Sequence, residues 1–295
     1  MDLEVWGCPV CLARISPGND GVVCTREGRR FPLLNGLPVL LRPEDTSLLE
    51  DSERYSAAWI RETWTPSKTD LVRLPYIPHG QWRQKARSLK VLLRLLGPPK
   101  GRIVADMGAG TGWLSHRLSE AGFRCFATDL STDLVVGLGA AEAFSGTSGE
   151  FERAVASLER WPFQNGTIDV AVCNASLHYL ADIGPALREA ARVLRPGGEF
   201  VAMNDPVQRD RRSAERAAKD FSHHLRDQGG SGKLLDGHRH FVALDLEGEL
   251  SEVFANVRRH DPDYGLWFRA TRAAKGILLR MELASFPIYT ATRTR

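Results

Sequence analysis

Apolar and polar positions along the chain change rhythm four times. Residues 1 to about 42 hold short extended runs between turn formers: Cys8-Pro-Val-Cys11, Pro17-Gly18-Asn19-Asp20-Gly21 and Asn35-Gly36. These signals predict strands at 22–25 and 30–34. Pro43-Glu44-Asp45-Thr46-Ser47 reads as a linker. Residues 48–97 are helix-like and rich in aromatic side chains, with Tyr55, Trp59, Trp64, Tyr76 and Trp82. The helical period is clearest over 82–96, and Gly97-Pro98-Pro99 stops it. From Gly101 onward, strands at 102–107, 124–129, 151–156, 168–174 and 199–204 are interleaved with helices at 112–121, 134–144 and 183–194. Apolar strands separated by helices imply a parallel sheet covered on both faces. A charged helical insertion occupies about 207–228. A helix at 244–254, a strand at 257–260, a helix at 266–280 and a strand at 285–292 close the chain. The predicted fold is α/β, a doubly wound, mostly parallel seven-stranded sheet. Its domains are a β ribbon at 1–42, a helical lid and linker at 43–100, and a sheet domain at 101–295 with an insertion about 207–240.

Composition narrows the class. Of 295 residues, 43% are hydrophobic and 25% charged, with 39 Lys+Arg against 36 Asp+Glu. Those are soluble globular values, and they exclude a disordered tail, a fibrous repeat and a membrane bundle. A net charge of +3 permits RNA as a substrate without demanding it. Residues 207–295 hold 16 Lys+Arg and 12 Asp+Glu, an excess too small to mark a nucleic-acid face. Met1-Asp2-Leu3-Glu4 is acidic and no apolar run follows it, so the expected location is the cytoplasm. Three of the five cysteines crowd into the first 24 residues. Cys125 and Cys173 sit in apolar runs and read as buried small hydrophobes.

The chemistry centres on Val104-Ala-Asp106-Met-Gly108-Ala-Gly110-Thr-Gly112-Trp113-Leu114. A strand runs into a glycine turn and a helix starts at once, which lets backbone approach a ligand and exposes helix N–H groups to it. Asp129 follows at the end of the next strand, where a carboxylate can bind the two hydroxyls of a ribose. A dinucleotide fingerprint needs glycine where Trp113 stands, so that motif fails. An acid two residues before G-x-G-x-G fits instead, and it would attract an ammonium group rather than a pyrophosphate.

This pattern resembles the class I S-adenosylmethionine-dependent methyltransferases. The resemblance continues through Trp161-Pro162-Phe163, Ile168-Asp169-Val-Ala-Val, Leu177-His178-Tyr179 and Val193-Leu-Arg-Pro-Gly-Gly198, and covers about residues 101–206. It implies S-adenosylmethionine as cofactor, with Asp106, Gly108, Ala109, Gly110, Gly112 and Trp113 around the methionine end. It also implies Asp129 on the ribose, Leu130 on the adenine and Asn174 facing the sulfonium. The family often has Asp where this chain has Ser157, so the resemblance implies a weaker adenine contact from Ser157, joined by the Leu158 amide.

A sulfonium is an activated methyl donor, so the protein's tasks are alignment and exclusion of water. His178 is the candidate base, with helix capping or packing as the alternative, and Tyr179 is the second candidate catalytic residue, suited to a wall of the pocket more than to an acid. Tyr76 and Trp82 are the expected acceptor contacts, while Trp59 and Trp64 equally suit anchoring of the helices. The insertion would complete the cover with Arg209, Arg212 and Phe221. His223-His224 and His238-x-His240 read as solvated surface. Cys8, Cys11 and Cys24, with Glu27 in the fourth place, resemble a zinc ribbon that accompanies several methyltransferases, ribosomal RNA guanine methyltransferases among them. The alternative is a degenerate ribbon folded on its own apolar residues. The expected function is methyl transfer to a small or medium-sized acceptor. The alternatives are a ribosomal or transfer RNA methyltransferase and a non-catalytic scaffold. The fourth strand lacks N-P-P-Y or D-P-P-Y, which disfavours adenine-amine methylation of nucleic acid.

Overall fold

The computed structural model describes residues 2–62, 64–279 and 283–294. A four-stranded antiparallel ribbon comes first: β1 (Ile15–Gly18), β2 (Gly21–Cys24), β3 (Arg30–Leu34) and β4 (Leu37–Pro38). β1 was not expected from the sequence. The run read there as one long turn is a hairpin, with Gly18 paired to Gly21 across Asn19-Asp20. Helices α1 (Leu48–Glu62), α2 (Lys68–Arg73) and α3 (Trp82–Leu96) follow.

The sheet domain then alternates β5 (Ile103–Met107), α4 (Trp113–Glu120), β6 (Arg124–Asp129), β7 (Glu152–Val155), β8 (Ile168–Asn174), α5 (Gly184–Val193) and β9 (Leu194–Met203). The insertion holds β10 (Val207–Gln208), α6 (Arg211–Asp227), α7 (Lys233–Asp236) and β11 (Phe241–Val242). The chain ends with α8 (Ala243–Ser251), β12 (Ala255–His260), α9 (Leu266–Leu279) and β13 (Ile288–Thr292). Seven strands form one sheet in the order β12-β13-β9-β8-β5-β6-β7. All its pairings are parallel except those of β13, which runs antiparallel to both neighbours.

Strand alternation assigns the two faces. Val104, Val170, Val172 and Val201 point to one core, where Leu89, Leu92 and Leu96 of α3 and Leu114 and Leu118 of α4 cover them. Ala105, Met107, Ala171 and Cys173 point to the other, covered by α5, by α8 and by the ribbon. Trp6, Ile15, Val22, Cys24 and Phe31 share that core with Phe126 and Phe163. The ribbon also borders the sheet edge: Val39 bridges Val155 in parallel, and the Leu40 N–H donates to the Val155 carbonyl at 2.8 Å.

One expected helix is replaced. Over 134–144 a turn precedes a 3₁₀ helix at Leu138–Phe144. Gly137 and Gly139 are weak helix formers, and Asp133 Oδ1 accepts from the N–H groups of Val135 and Val136, which holds a turn there. The β10–β11 parallel pair was also unforeseen, and it pins both ends of the insertion to each other.

Candidate active site

β5 pairs with both β6 and β8, so the strand order reverses at its carboxyl end, where doubly wound sheets bind ligands. The glycine loop leaves β5 there. The N–H groups of Gly108 and Ala109 both donate to the Thr128 carbonyl, at 2.8 and 3.0 Å, fixing the loop against β6. Gly108 has φ +72°, and a Cβ there would lie 2.5 Å from Ser176 Cβ. Gly112 has φ +74°, and a Cβ would meet the Phe151 ring at 2.4 Å. No other residue fits either position without displacement.

Above this loop opens a cavity of about 490 Å³. Gly108, Ala109, Gly110, Trp113, Asp129, Leu130, Leu158 and Asn174 line it. Asp129 Oδ2 accepts from the Gly110 N–H at 2.8 Å and Oδ1 from the Ser131 N–H at 2.9 Å. Burial pushes this carboxyl above its usual range against those two bonds.

Three expected cofactor residues do not line the cavity. Asp106 is fully buried beneath the loop, because alternation along β5 turns it with Val104 toward α4. Its Oδ2 accepts from Ser115 Oγ at 2.8 Å, its Oδ1 has no partner among the described residues, and burial pushes the carboxyl up to about 7. Gly112 lies off the cavity with its Cα facing the Phe151 ring. Ser157 is buried, and its hydroxyl accepts from the Glu159 N–H at 3.1 Å in the turn after β7.

The wall past β8 is polar and tightly tied. Asn174 Oδ1 accepts from Asn204 Nδ2 at 2.8 Å, and Asn204 Oδ1 accepts from Ser88 Oγ of α3 at 2.8 Å. This leaves the Asn174 amide as a donor beside the cavity. His178 sits in a 3₁₀ turn with Nδ1 2.7 Å from Asp205 Oδ1, and its backbone N–H donates to the same oxygen at 3.2 Å. The Tyr179 and Tyr55 hydroxyls are 2.8 Å apart. Burial pushes the Tyr179 phenol up to about 12, and Tyr55 is also raised well above its usual value, burial again first.

The lid differs from expectation in its details. Trp82 lines the cavity, edge-on to Trp113 with centroids 5.8 Å apart. Tyr76 does not: it is 58% exposed and lies under the Arg117 guanidinium. Trp59 and Trp64 line the cavity instead, and Trp59 meets Phe221 of α6 at 6.1 Å. Arg209 and Arg212 are exposed and outside it. The larger correction concerns histidine. His223 and His224 are exposed as expected, yet His238 is buried and both His238 and His240 line the cavity. Phe221 stacks on His238 at 4.0 Å, and the His178 and His238 rings lie 5.2 Å apart. Burial pushes His240 down to about 4 and His238 to about 2, so both are neutral near pH 7. The available signal was spacing: two residues apart on an extended lead-in to Phe241, they share a face.

Lys85 of α3 also lines the cavity and was not singled out from sequence. Its Nζ lies 4.4 Å from the centroid of the Trp82 ring, and burial pulls the ammonium down to about 8. It is the only Lys or Arg among the described lining residues.

Remote from the cavity, the thiols of Cys8, Cys11 and Cys24 lie within 4.8 Å of one another, the only such donor group among the described residues. Two turns present them: the Leu12 N–H donates to the Cys8 carbonyl and the Gly28 N–H to the Cys24 carbonyl, each at 2.9 Å. Glu27 does not complete the set. Its carboxylate pairs with Arg29 at 3.7 Å, and only its backbone N–H reaches Cys24 Sγ.

Comparison with known proteins matches residues 105–202 to the model of a methyltransferase domain. The demethylmenaquinone methyltransferase of Mycolicibacterium paratuberculosis is 34% identical over 41% of this chain and 46% of its own length. The malonyl-[acyl-carrier protein] O-methyltransferase of Hahella chejuensis is 37% identical over 33% of this chain and 34% of its own. The chain thus spans less than half the length of these curated relatives. In fold, it is similar to geranyl diphosphate C-methyltransferase from Streptomyces coelicolor, with a TM-score of 0.55 and 16% identity over 84% of this chain and 99% of that one. No helix among the described residues is long and apolar enough to cross a membrane. Residues 105–202, set in a seven-stranded sheet with its glycine loop at the strand switch, thus match a methyltransferase domain.

Proposed function

We propose that this protein transfers a methyl group from S-adenosylmethionine to a small or medium-sized acceptor. The observation that carries the reading is one cavity shared by the glycine loop, Asp129, Asn174 and His178, whose Nδ1 is held by Asp205 behind it. The donor set fits the cofactor: loop backbone held close by Gly108, an acid at the ribose position, and Leu130 and Leu158 as apolar faces for an adenine. The bound cofactor supplies a methyl group already activated on a sulfonium. His178 accepts the acceptor's proton at Nε2, while Asp205 holds Nδ1 and stabilises the imidazolium that forms. Tyr179, fixed by Tyr55, walls the pocket. Asp106 is a positioning residue that ties the start of α4 under the loop through Ser115. α1 and the insertion cover the opening, joined by Ala58, Leu225 and Leu235, and so exclude water.

A wall of aromatic and neutral histidine side chains with one Lys favours a small acceptor over RNA, whose phosphates require several cations. The small-molecule names of the relatives point the same way. The ribbon's three thiols suit a soft divalent ion such as zinc, with the fourth position supplied from outside Glu27. The deciding experiment is calorimetry with S-adenosylhomocysteine, which is expected to bind in the low-micromolar range, about −8 kcal/mol. Tight NAD binding with none of S-adenosylhomocysteine would overturn the assignment. RNA binding that weakens steeply with salt would promote the RNA reading.

A further inference from the structure

We propose that Lys85 anchors the carboxylate of the amino-acid tail of S-adenosylmethionine, making α3 part of the cofactor site. The inference rests on the methyl-transfer reading and adds a residue that precedes the family match at 105–202.

The charge inventory of the cavity leads to it. Asp129 has both carboxylate oxygens engaged by backbone N–H groups. His238 and His240 are neutral, and the Tyr55 and Tyr179 phenols stay protonated. Lys85 is the one ammonium among the described lining residues. Among the described residues no carboxylate pairs with it, and its one contact of note is the Trp82 face. An ammonium has three donors, and a π face satisfies it only in part. A sequestered cation of this kind costs free energy until an anion joins it. The cofactor carries a single anionic group, its carboxylate.

Position agrees with charge. With the adenosine end assigned to Asp129, Leu130 and Leu158, the tail is left the other end of the loop. Lys85 belongs to that end: it stacks on Trp82, and Trp82 meets Trp113, the first residue of α4. Ser88, one turn further along α3, is bonded to Asn204 and through it to Asn174, so the helix is fixed relative to the strand tips. The insertion's His238, backed by Phe221, meets His178 instead, leaving that side for the acceptor.

The test measures binding and needs no acceptor. Lys85→Met keeps the aliphatic stem on Trp82 and removes the charge. S-adenosylhomocysteine is expected to bind this variant about 10- to 100-fold more weakly, the loss of one charge-assisted hydrogen bond. Affinity for 5′-methylthioadenosine, which lacks the tail, is expected to stay within about twofold. Lys85→Arg is expected to recover part of the loss. Wild-type affinity for S-adenosylhomocysteine is expected to fall as pH rises through about 8, because the free enzyme's ammonium then deprotonates. The cavity's phenols titrate higher and His238 and His240 lower, and Lys85→Met should flatten this limb. Unchanged affinity for S-adenosylhomocysteine, as an acceptor anion at Lys85 would produce, overturns the proposal. So does an equal loss for both nucleosides, which marks a structural role. Wild-type protein that binds neither nucleoside would refute the methyl-transfer reading itself and the Lys85 assignment with it.

Discussion

Replacing Trp6 with alanine tests whether the ribbon is an appendage or part of the catalytic core. Trp6 is fully buried, stacked on Phe163 at 4.8 Å and edge-on to Phe126 at 5.6 Å, and its Nε1–H donates to Glu152 Oε2 at 2.7 Å. Two backbone bonds flank it: Gly7 N–H to the Pro162 carbonyl at 2.9 Å and Gln164 N–H to the Val5 carbonyl at 3.0 Å. Truncating a buried Trp to Ala removes its transfer free energy and leaves a cavity, together about 3–5 kcal/mol. The lost hydrogen bond adds little, because Glu152 still accepts from the Asp2 N–H. Against a typical total of about 5–15 kcal/mol, such a loss is a large fraction of stability. Guanidinium unfolding followed by far-ultraviolet circular dichroism measures it. One cooperative transition shifted to lower denaturant is expected. Trp6→Phe, which keeps the stack and drops the N–H, should cost about 1–2 kcal/mol. A Trp6→Ala loss below about 1 kcal/mol would refute the reasoning, as would a two-step curve whose main midpoint does not move, and the ribbon would then be a separate folding unit.

Further outcomes follow from the site. Asp129→Ala should weaken S-adenosylhomocysteine binding by about 2 kcal/mol, near 30-fold by calorimetry, and unchanged affinity would show that the ribose lies elsewhere. Gly108→Ala should destabilise by about 2 kcal/mol or more, since it adds left-handed backbone strain to a 2.5 Å approach on Ser176, and a wild-type melting temperature would contradict the close approach. Protein purified without chelator should carry about one zinc per chain, lost in Cys8→Ser or Cys11→Ser, and intact metal-free protein would favour a ribbon folded on apolar contacts alone.

How much of this was legible beforehand depends on whether the signal is local. β6, β8 and the glycine loop could be read because apolar runs, turn chemistry and a strand-turn-helix junction are each written within a few residues. Asp129 and Asn174 could be placed because strand ends are local facts. The roles of Asp106 and Ser157 could not, because which way a buried side chain turns depends on the helix packed over it. Tyr76 and Trp59 exchanged expected places for the same reason: both are aromatic on lid segments, and only packing set one beside Arg117 and the other against Phe221. His238 and His240 read as surface because glycines and charges surround them in sequence, while Phe221 and His178, distant along the chain, bury them.

By itself, the sequence determined the α/β class, the alternating strands and helices, the glycine loop and the three cysteines of the ribbon, since each rests on residues close along the chain. Tertiary structure alone decided three matters. It merged the ribbon with the sheet core through Trp6. It set His178 against Asp205, and among the described residues it left Lys85 without a carboxylate partner. Each depends on contacts between segments far apart in sequence, and the pairing is chosen by which apolar faces can be buried together.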